Sequence, residues 1–175
     1  MPRIAGARSA AEPSSPQQKA RYARVLRAAA SLGAERGLER VQMHDVAREA
    51  GVAIATLYRY FPSKIHLFTG VMAAQVDRLN RHSKPAPPGQ DPVEAVCDML
   101  SSATRGLLSR PLLASAMMQA NNAASAATVS DAGRIDALME DTVLTILRIE
   151  LPTARDLRLV SLLMECWYGV LASSL

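Results

Sequence analysis

Between one proline or glycine and the next, almost every segment of this chain places apolar residues three and four positions apart, and no segment alternates apolar with polar residues. That is the period of an amphipathic helix, so the sequence predicts an all-α fold. The first run, QQKARYARVLRAAASLGAERG, puts Tyr22, Val25, Leu26, Ala29 and Leu32 on one stripe, arginines on the rest of the arc, and Gly37 as a stop. A second, MHDVAREA, ends at Gly51. A third, IATLYRY, starts after only Val52 and Ala53 and is closed by Pro62. Ser63 is placed to cap a longer helix that carries Phe68, Val71, Met72, Val76 and Leu79.

The stretch RHSKPAPPGQD, residues 81–91, holds three prolines and a glycine and reads as a connection and domain boundary. Asp91, Pro92 and Glu94 then make a start signal for a helix through Val93, Val96, Cys97, Leu100 and Leu107. Pro111 opens a further helix through Leu113, Met117 and Ala120, followed by NNAASAATVSDAG, which fits neither helix nor loop cleanly. Ile135, Leu138, Met139, Thr142, Val143 and Ile146 mark the next. Thr153, with Asp156 three residues on, caps the last, which carries Val160, Leu163, Met164, Trp167 and Leu171.

Charge divides the 175 residues unevenly. Residues 1–64 hold eleven Lys/Arg and five Asp/Glu, a balance of +6; residues 65–175 hold nine and eleven, a balance of −2. A basic first third beside a mildly acidic remainder suits a polyphosphate partner, whose condensed counterions Lys and Arg displace. The two cysteines, Cys97 and Cys166, are far apart and have no His or Cys at ligand spacing, which predicts neither a metal site nor a disulfide framework and fits a reducing cytoplasm. No apolar run approaches the roughly 18 residues of a membrane span, and the opening MPRIAGARSAAEPSSPQQ lacks a signal peptide's apolar block. It reads as a basic, disordered arm.

Residues 47–64, AREAGVAIATLYRYFPSK, are the most specific stretch. Two helices that cross steeply through a short turn need a small residue where their backbones meet, a residue tolerant of positive φ, and an apolar anchor on the second helix. Ala47, Gly51 and Leu57 supply these in order, with Val46 and Val52 on the inner face. The second helix is short and presents Thr56, Tyr58, Arg59 and Tyr60, too polar a set for packing alone.

The segment VQMHDVAREAGVAIATLYRYFPSKIHLF resembles the DNA-binding region of the TetR family of regulators, with its A-G-V turn, T-L-Y-x-Y-F and S-K. VQM, TLYRYFPSK and RPLLASAMMQA look most like the KstR-like group, repressors of steroid and lipid catabolism. The resemblance implies a basic arm over 1–18, a three-helix helix-turn-helix domain over 19–64, a connecting helix 65–82, a linker 83–91 and a helical effector-binding and dimerisation domain over 92–175. It implies base contacts from Thr56 and Tyr58, with His44 reaching the major groove from the front of the second helix. Gln42, Tyr60 and Lys64 would hold phosphates, Gln42 and Lys64 from helix starts, and Arg59 is assigned to a phosphate as well. Family members usually carry Ser or Thr where this chain has Gln42 and Ala53, so the third helix is expected to lack a side-chain cap.

In the second domain, methionines outnumber aromatic residues, which suits an adaptable apolar interior. The resemblance puts an effector pocket among helices 5 to 8, and Met99, Met117, Met139, Met164 and Trp167 are the expected lining, with Asn121 and Asn122 as candidate polar groups. The expected partners are a palindromic or near-palindromic operator, a small hydrophobic effector (a lipid, a steroid or a CoA thioester) and a second copy of the chain; no cofactor is expected. Relatives pair through two C-terminal helices, whereas the sequence stops at Leu175, so the domain reads as shortened. No Ser-His-Asp grouping, paired catalytic carboxylates or phosphate-cradling glycine loop favours an enzyme. A non-specific architectural DNA binder and a helical interaction module stay open as alternatives.

Overall fold

The computed structural model describes residues 11–126 and 130–175; the first ten residues of the expected arm and positions 127–129 of the ambiguous stretch lie outside the described residues. Among the described residues there are helices and no strand. The order is α1 (Pro16–Arg40), α2 (Met43–Glu49), α3 (Ile54–Tyr60), α4 (Lys64–His82), α5 (Pro92–Leu108), α6 (Pro111–Ala126), α7 (Ser130–Leu147) and α8 (Ala154–Ser174).

Helix starts follow local chemistry. Ser15, Ser63, Asp91 and Thr153 each accept a hydrogen bond from an N–H of the first turn, satisfying a donor that has no intrahelical partner. At α8 the box is complete: Asp156 N–H donates to Thr153 Oγ1 at 3.3 Å and Thr153 N–H donates to Asp156 Oδ2 at 2.9 Å. The Thr153 hydroxyl, which donates to Asp156 Oδ2 at 2.7 Å, and then the Thr153 N–H hold the Asp156 carboxyl below its ordinary pKa. Gly37, at φ 70° and ψ 172°, breaks the long first helix as its residue type suggests, and Leu38, Glu39 and Arg40 add one further turn.

Residues 11–18 of the expected arm are described, and they depart from that expectation. Pro16 begins α1, and Ala11 N–H donates to the Arg59 carbonyl at 3.0 Å, so residues 11–18 belong to the folded body.

α4 is the central element, packed against α1, α6 and α7, and α1 packs on α6 as well. One apolar core runs through both expected domains. Val25 and Leu32 of α1, Phe68 and Val71 of α4, Leu113 and Met117 of α6, and Met139 and Val143 of α7 are all buried in it. Full burial of each such side chain contributes about 1.5–3 kcal/mol. Where α1, α4 and α6 meet, a Cβ added at Gly33 would stand 2.6 Å from Phe68 Cε1 and 3.1 Å from Leu113 Cδ1. The missing side chain at Gly33 lets Phe68 in.

Residues 83–91 join α4 to α5 as a connection in the chain, without a gap in the packing. Ala86 is buried there, its N–H donating to Ile146 O at 3.2 Å. Arg148, the one described non-glycine residue at positive φ, turns the end of α7 so that its guanidinium donates to Ala86 O, with Nε at 3.1 Å. Asn80 on α4 reaches α7 as well, with Nδ2 donating to Asp141 Oδ2 at 2.9 Å and lying 3.2 Å from Leu138 O.

Candidate nucleic-acid interface and effector cavity

The turn between α2 and α3 is a Schellman motif. Val52 N–H donates to Ala47 O at 3.0 Å and Gly51 N–H to Arg48 O at 3.1 Å, with Gly51 at φ 62°. Glycine takes that left-handed conformation without a Cβ clash, and the two bonds consume carbonyls that the end of α2 leaves over. Ala47 and Val46 are buried beneath the turn, and Arg24 of α1 donates through Nε to Ala50 O at 3.2 Å. Asp45 is held by Arg36 at 3.0 Å and by Arg48 at 2.7 Å.

On α3, Leu57 is fully buried and Tyr58 is 45% exposed. Thr56 is half-buried, and Arg59 is exposed. The outward face thus combines a hydroxyl, a phenol and a guanidinium, groups that hydrogen-bond base edges and phosphates. Ala53, at the N-cap of α3, makes no side-chain cap.

His44 and Gln42 are exposed at the start of α2. Together with Tyr58, Lys64 and Ser63 they line a groove of about 550 Å³ between the ends of α1 and α3 and the starts of α2 and α4. The groove brings four of the expected contact residues to one place, next to two helix N-termini.

Two expected phosphate contacts have other partners. Tyr60 is only 2% exposed, its ring edge-on to Tyr22 with centroids 5.6 Å apart. Three residues after Leu57, it shares the inward face, and its hydroxyl accepts from Arg59 Nη2 at 2.9 Å. The structure therefore places Tyr60 in the core as a support for Arg59, whose Cζ lies 4.9 Å above the same ring. Lys64 Nζ donates to Leu38 O and Glu39 O, each at 3.1 Å. Its charge sits on carbonyls left free beyond the break at Gly37, and so ties the start of α4 to the end of α1.

A larger cavity, about 890 Å³, lies between α1, α4 and the helices that follow. Met117, Met139 and Trp167 line it, whereas Met99 and Met164 do not. Met164 is buried in the shared core and Met99 packs against that core from the side. Asn121 and Asn122 are also absent from the lining. The expected pocket lies among α5 to α8, but α1 and α4 form a wall of this cavity through Leu26, Ala30, Val71 and Met72.

That wall brings residues the sequence reading missed. Arg27, Arg78, His82 and Arg110 are exposed along the cavity, and no Asp or Glu lines it. Arg78 and His82 lie four residues apart on one face of α4, a spacing visible in the sequence; Arg27 and Arg110 come from other helices and meet them only in the fold. Tyr168, next to Trp167, also lines the cavity. Burial, and then the nearby Asp136 carboxylate, push its phenol above the ordinary tyrosine range, so it keeps its proton. Partial burial and Glu140 raise Asp136 in turn.

Comparison with known proteins bears on both regions. Residues 25–71 match the model for bacterial regulatory proteins of the tetR family, and residues 89–175 match the tetracyclin repressor-like C-terminal domain. The HTH-type transcriptional repressor KstR of Rhodococcus jostii (strain RHA1) is 36% identical over 160 residues, 91% of this chain and 75% of that protein. KstR of Mycobacterium tuberculosis (strain ATCC 25618 / H37Rv) is 30% identical over 151 residues, 86% of this chain and 69% of that protein. The crystal structure of a TetR transcriptional regulator from Rhodococcus sp. RHA1 superposes with a TM-score of 0.82 at 50% identity, covering 90% of this chain and 84% of that one.

Proposed function

The chain belongs to the TetR family of bacterial regulatory proteins, a DNA-binding regulator that answers to a ligand, and on that premise we propose that it represses genes from a palindromic or near-palindromic operator and leaves it when a small hydrophobic effector binds. The observation that carries this reading is the outward face of α3, where Tyr58 and Arg59 are exposed and Thr56 half-exposed on a helix whose other face is locked by Leu57 and Tyr60. A helix seven residues long reads few bases, so two copies must act together with their α3 helices about one DNA turn, roughly 34–36 Å, apart. Family repressors dimerise, and the exposed Leu159, Leu162 and Val170 on α8 supply an apolar face for it.

In this reading Thr56, Tyr58 and His44 contact bases, while Gln42 and Arg59 hold phosphates. The 890 Å³ cavity takes the effector, a lipid, a steroid or one of their CoA thioesters; its methionine-rich wall suits the apolar body and its arginines suit the phosphates of a thioester. Effector binding favours a spacing of the two heads that misses the grooves; a coupling of about 1–3 kcal/mol changes operator affinity some 5- to 150-fold. No helix of the described residues is long and apolar enough to cross a membrane, and the protein works in the cytoplasm at the nucleoid.

Selection of bound fragments from genomic DNA tests the reading. One recurrent near-palindromic site is the expected result; equal recovery of all sequences with a steep salt slope would make the protein a non-specific architectural binder.

A further inference from the structure

Residues 1–10, MPRIAGARSA, hold Arg3 and Arg8, no acidic and no aromatic residue, and are otherwise mostly Ala, Gly and Ser. The folded body fixes the point at which they join it. Ala11 is half-buried against the apolar core, and its N–H donates to Arg59 O at 3.0 Å, in the last turn of α3. From Ala11 to α1 the path is pinned. Ser14 N–H donates to Gln18 Oε1 at 2.9 Å, Ser15 caps α1, and Pro13 and Pro16 restrict the backbone on either side. The basic segment is therefore tethered to the C-terminal end of α3, on the residue whose guanidinium is exposed at the outward face.

We propose that residues 1–10 enter an A·T-rich minor groove beside the major groove that α3 occupies, with Arg3 and Arg8 directed at its floor. The inference rests on the reading of α3 as the helix that enters the major groove. Length permits it: ten extended residues span roughly 33–36 Å, whereas the two grooves are about 12 and 6 Å wide and adjoin across one phosphate strand. Side-chain size permits it, since Ala, Gly and Ser fit a slot about 6 Å wide. Charge favours it, because the minor groove of A·T-rich DNA is narrow and strongly negative and draws in arginine. The tether adds to all three. Once α3 is docked, the arm is held at a high effective concentration next to that groove, so its binding needs no second encounter. The contact would distinguish A·T from G·C pairs outside the bases that α3 reads.

Gel-shift titration of the full chain tests this on duplexes that carry the half-sites recovered by fragment selection, flanked on both sides by A·T, G·C or inosine·cytosine pairs. Inosine·cytosine shows the minor groove of A·T and the major groove of G·C, and so separates the two grooves. The parent protein is expected to bind the A·T and inosine·cytosine duplexes about 10-fold tighter than the G·C duplex, and the double variant Arg3→Ala, Arg8→Ala to bind all three alike. Ala11→Pro keeps both arginines but deletes the donor to Arg59 O, and should retain less than about a third of the preference. The inference is overturned if the parent ignores the flanks, if inosine·cytosine behaves as G·C does, or if Ala11→Pro keeps the full preference. It is overturned as well if the double variant loses affinity equally on all three duplexes, which is a phosphate contact. Base changes inside the half-sites test α3 on the same DNA. Half-site dependence without flank dependence sinks the arm alone; flank dependence without half-site dependence keeps the arm and sinks the reading of α3; absence of both sinks both.

Discussion

α3 and α8 both bury one face and expose the other, yet their exposed faces differ in kind. α3 shows Thr56, Tyr58 and Arg59 above a buried Leu57 and Tyr60; α8 shows Leu159, Leu162 and Val170 above a buried Val160, Met164 and Leu171. Leu162 and Val170 are 56% and 65% exposed, against 45% for Tyr58. The difference fits the two proposed partners: a face of hydroxyl, phenol and guanidinium suits a charged, hydrogen-bonding surface, and an apolar face suits a second copy.

Charging the apolar face is the strongest way to break this comparison. Leu162→Lys should separate the subunits and lower operator affinity more than 100-fold, on the order of 3 kcal/mol or more, because each head would then bind alone. Sedimentation and gel-shift titration on one sample check it; a dimeric variant of full affinity would assign the pairing surface elsewhere. Thr56→Ala should change preference between operator variants by about 1–3 kcal/mol without a change in salt slope, whereas Arg59→Ala should weaken all sequences alike and reduce that slope by about one. Equal losses for both variants on every sequence would erase the division between base and phosphate contacts. Gly51→Ala should cost about 1–2 kcal/mol of folding stability, read from chemical denaturation, because alanine resists the φ of 62°. The smallest effect is expected from Ala53→Ser, which supplies the absent cap of α3 and should add about 0.5–1 kcal/mol with unchanged sequence preference.

Much of the fold was legible because its signals are local. Ser63, Asp91 and Thr153 cap helices where their residue types suggested, and α3 runs over Ile54–Tyr60 between the turn glycine and Pro62. Of the three departures, those at Lys64 and at the cavity depend on residues far along the chain, and the one at Tyr60 does not. Lys64 looked like a free cation at a helix start, but its acceptors are Leu38 O and Glu39 O, more than twenty residues earlier. Tyr60 was legible in principle, because three residues after Leu57 is the same side of a helix; an aromatic phenol beside a basic segment was read for its chemistry and not for its register. The cavity is expected among helices 5 to 8 because the resemblance puts it there, whereas α1 and α4, which share one core with those helices, form part of its wall.

α1 touches both ends of the molecule's work. Arg24 holds the Ala50 carbonyl at the elbow before α3, and Arg27, less than one turn further on, stands in the cavity wall. A helix rises 1.5 Å per residue, so about 4.5 Å of stiff rod separates the two attachments. A guest molecule that tilts this rod transmits the tilt to the elbow with almost no length over which the motion can be absorbed.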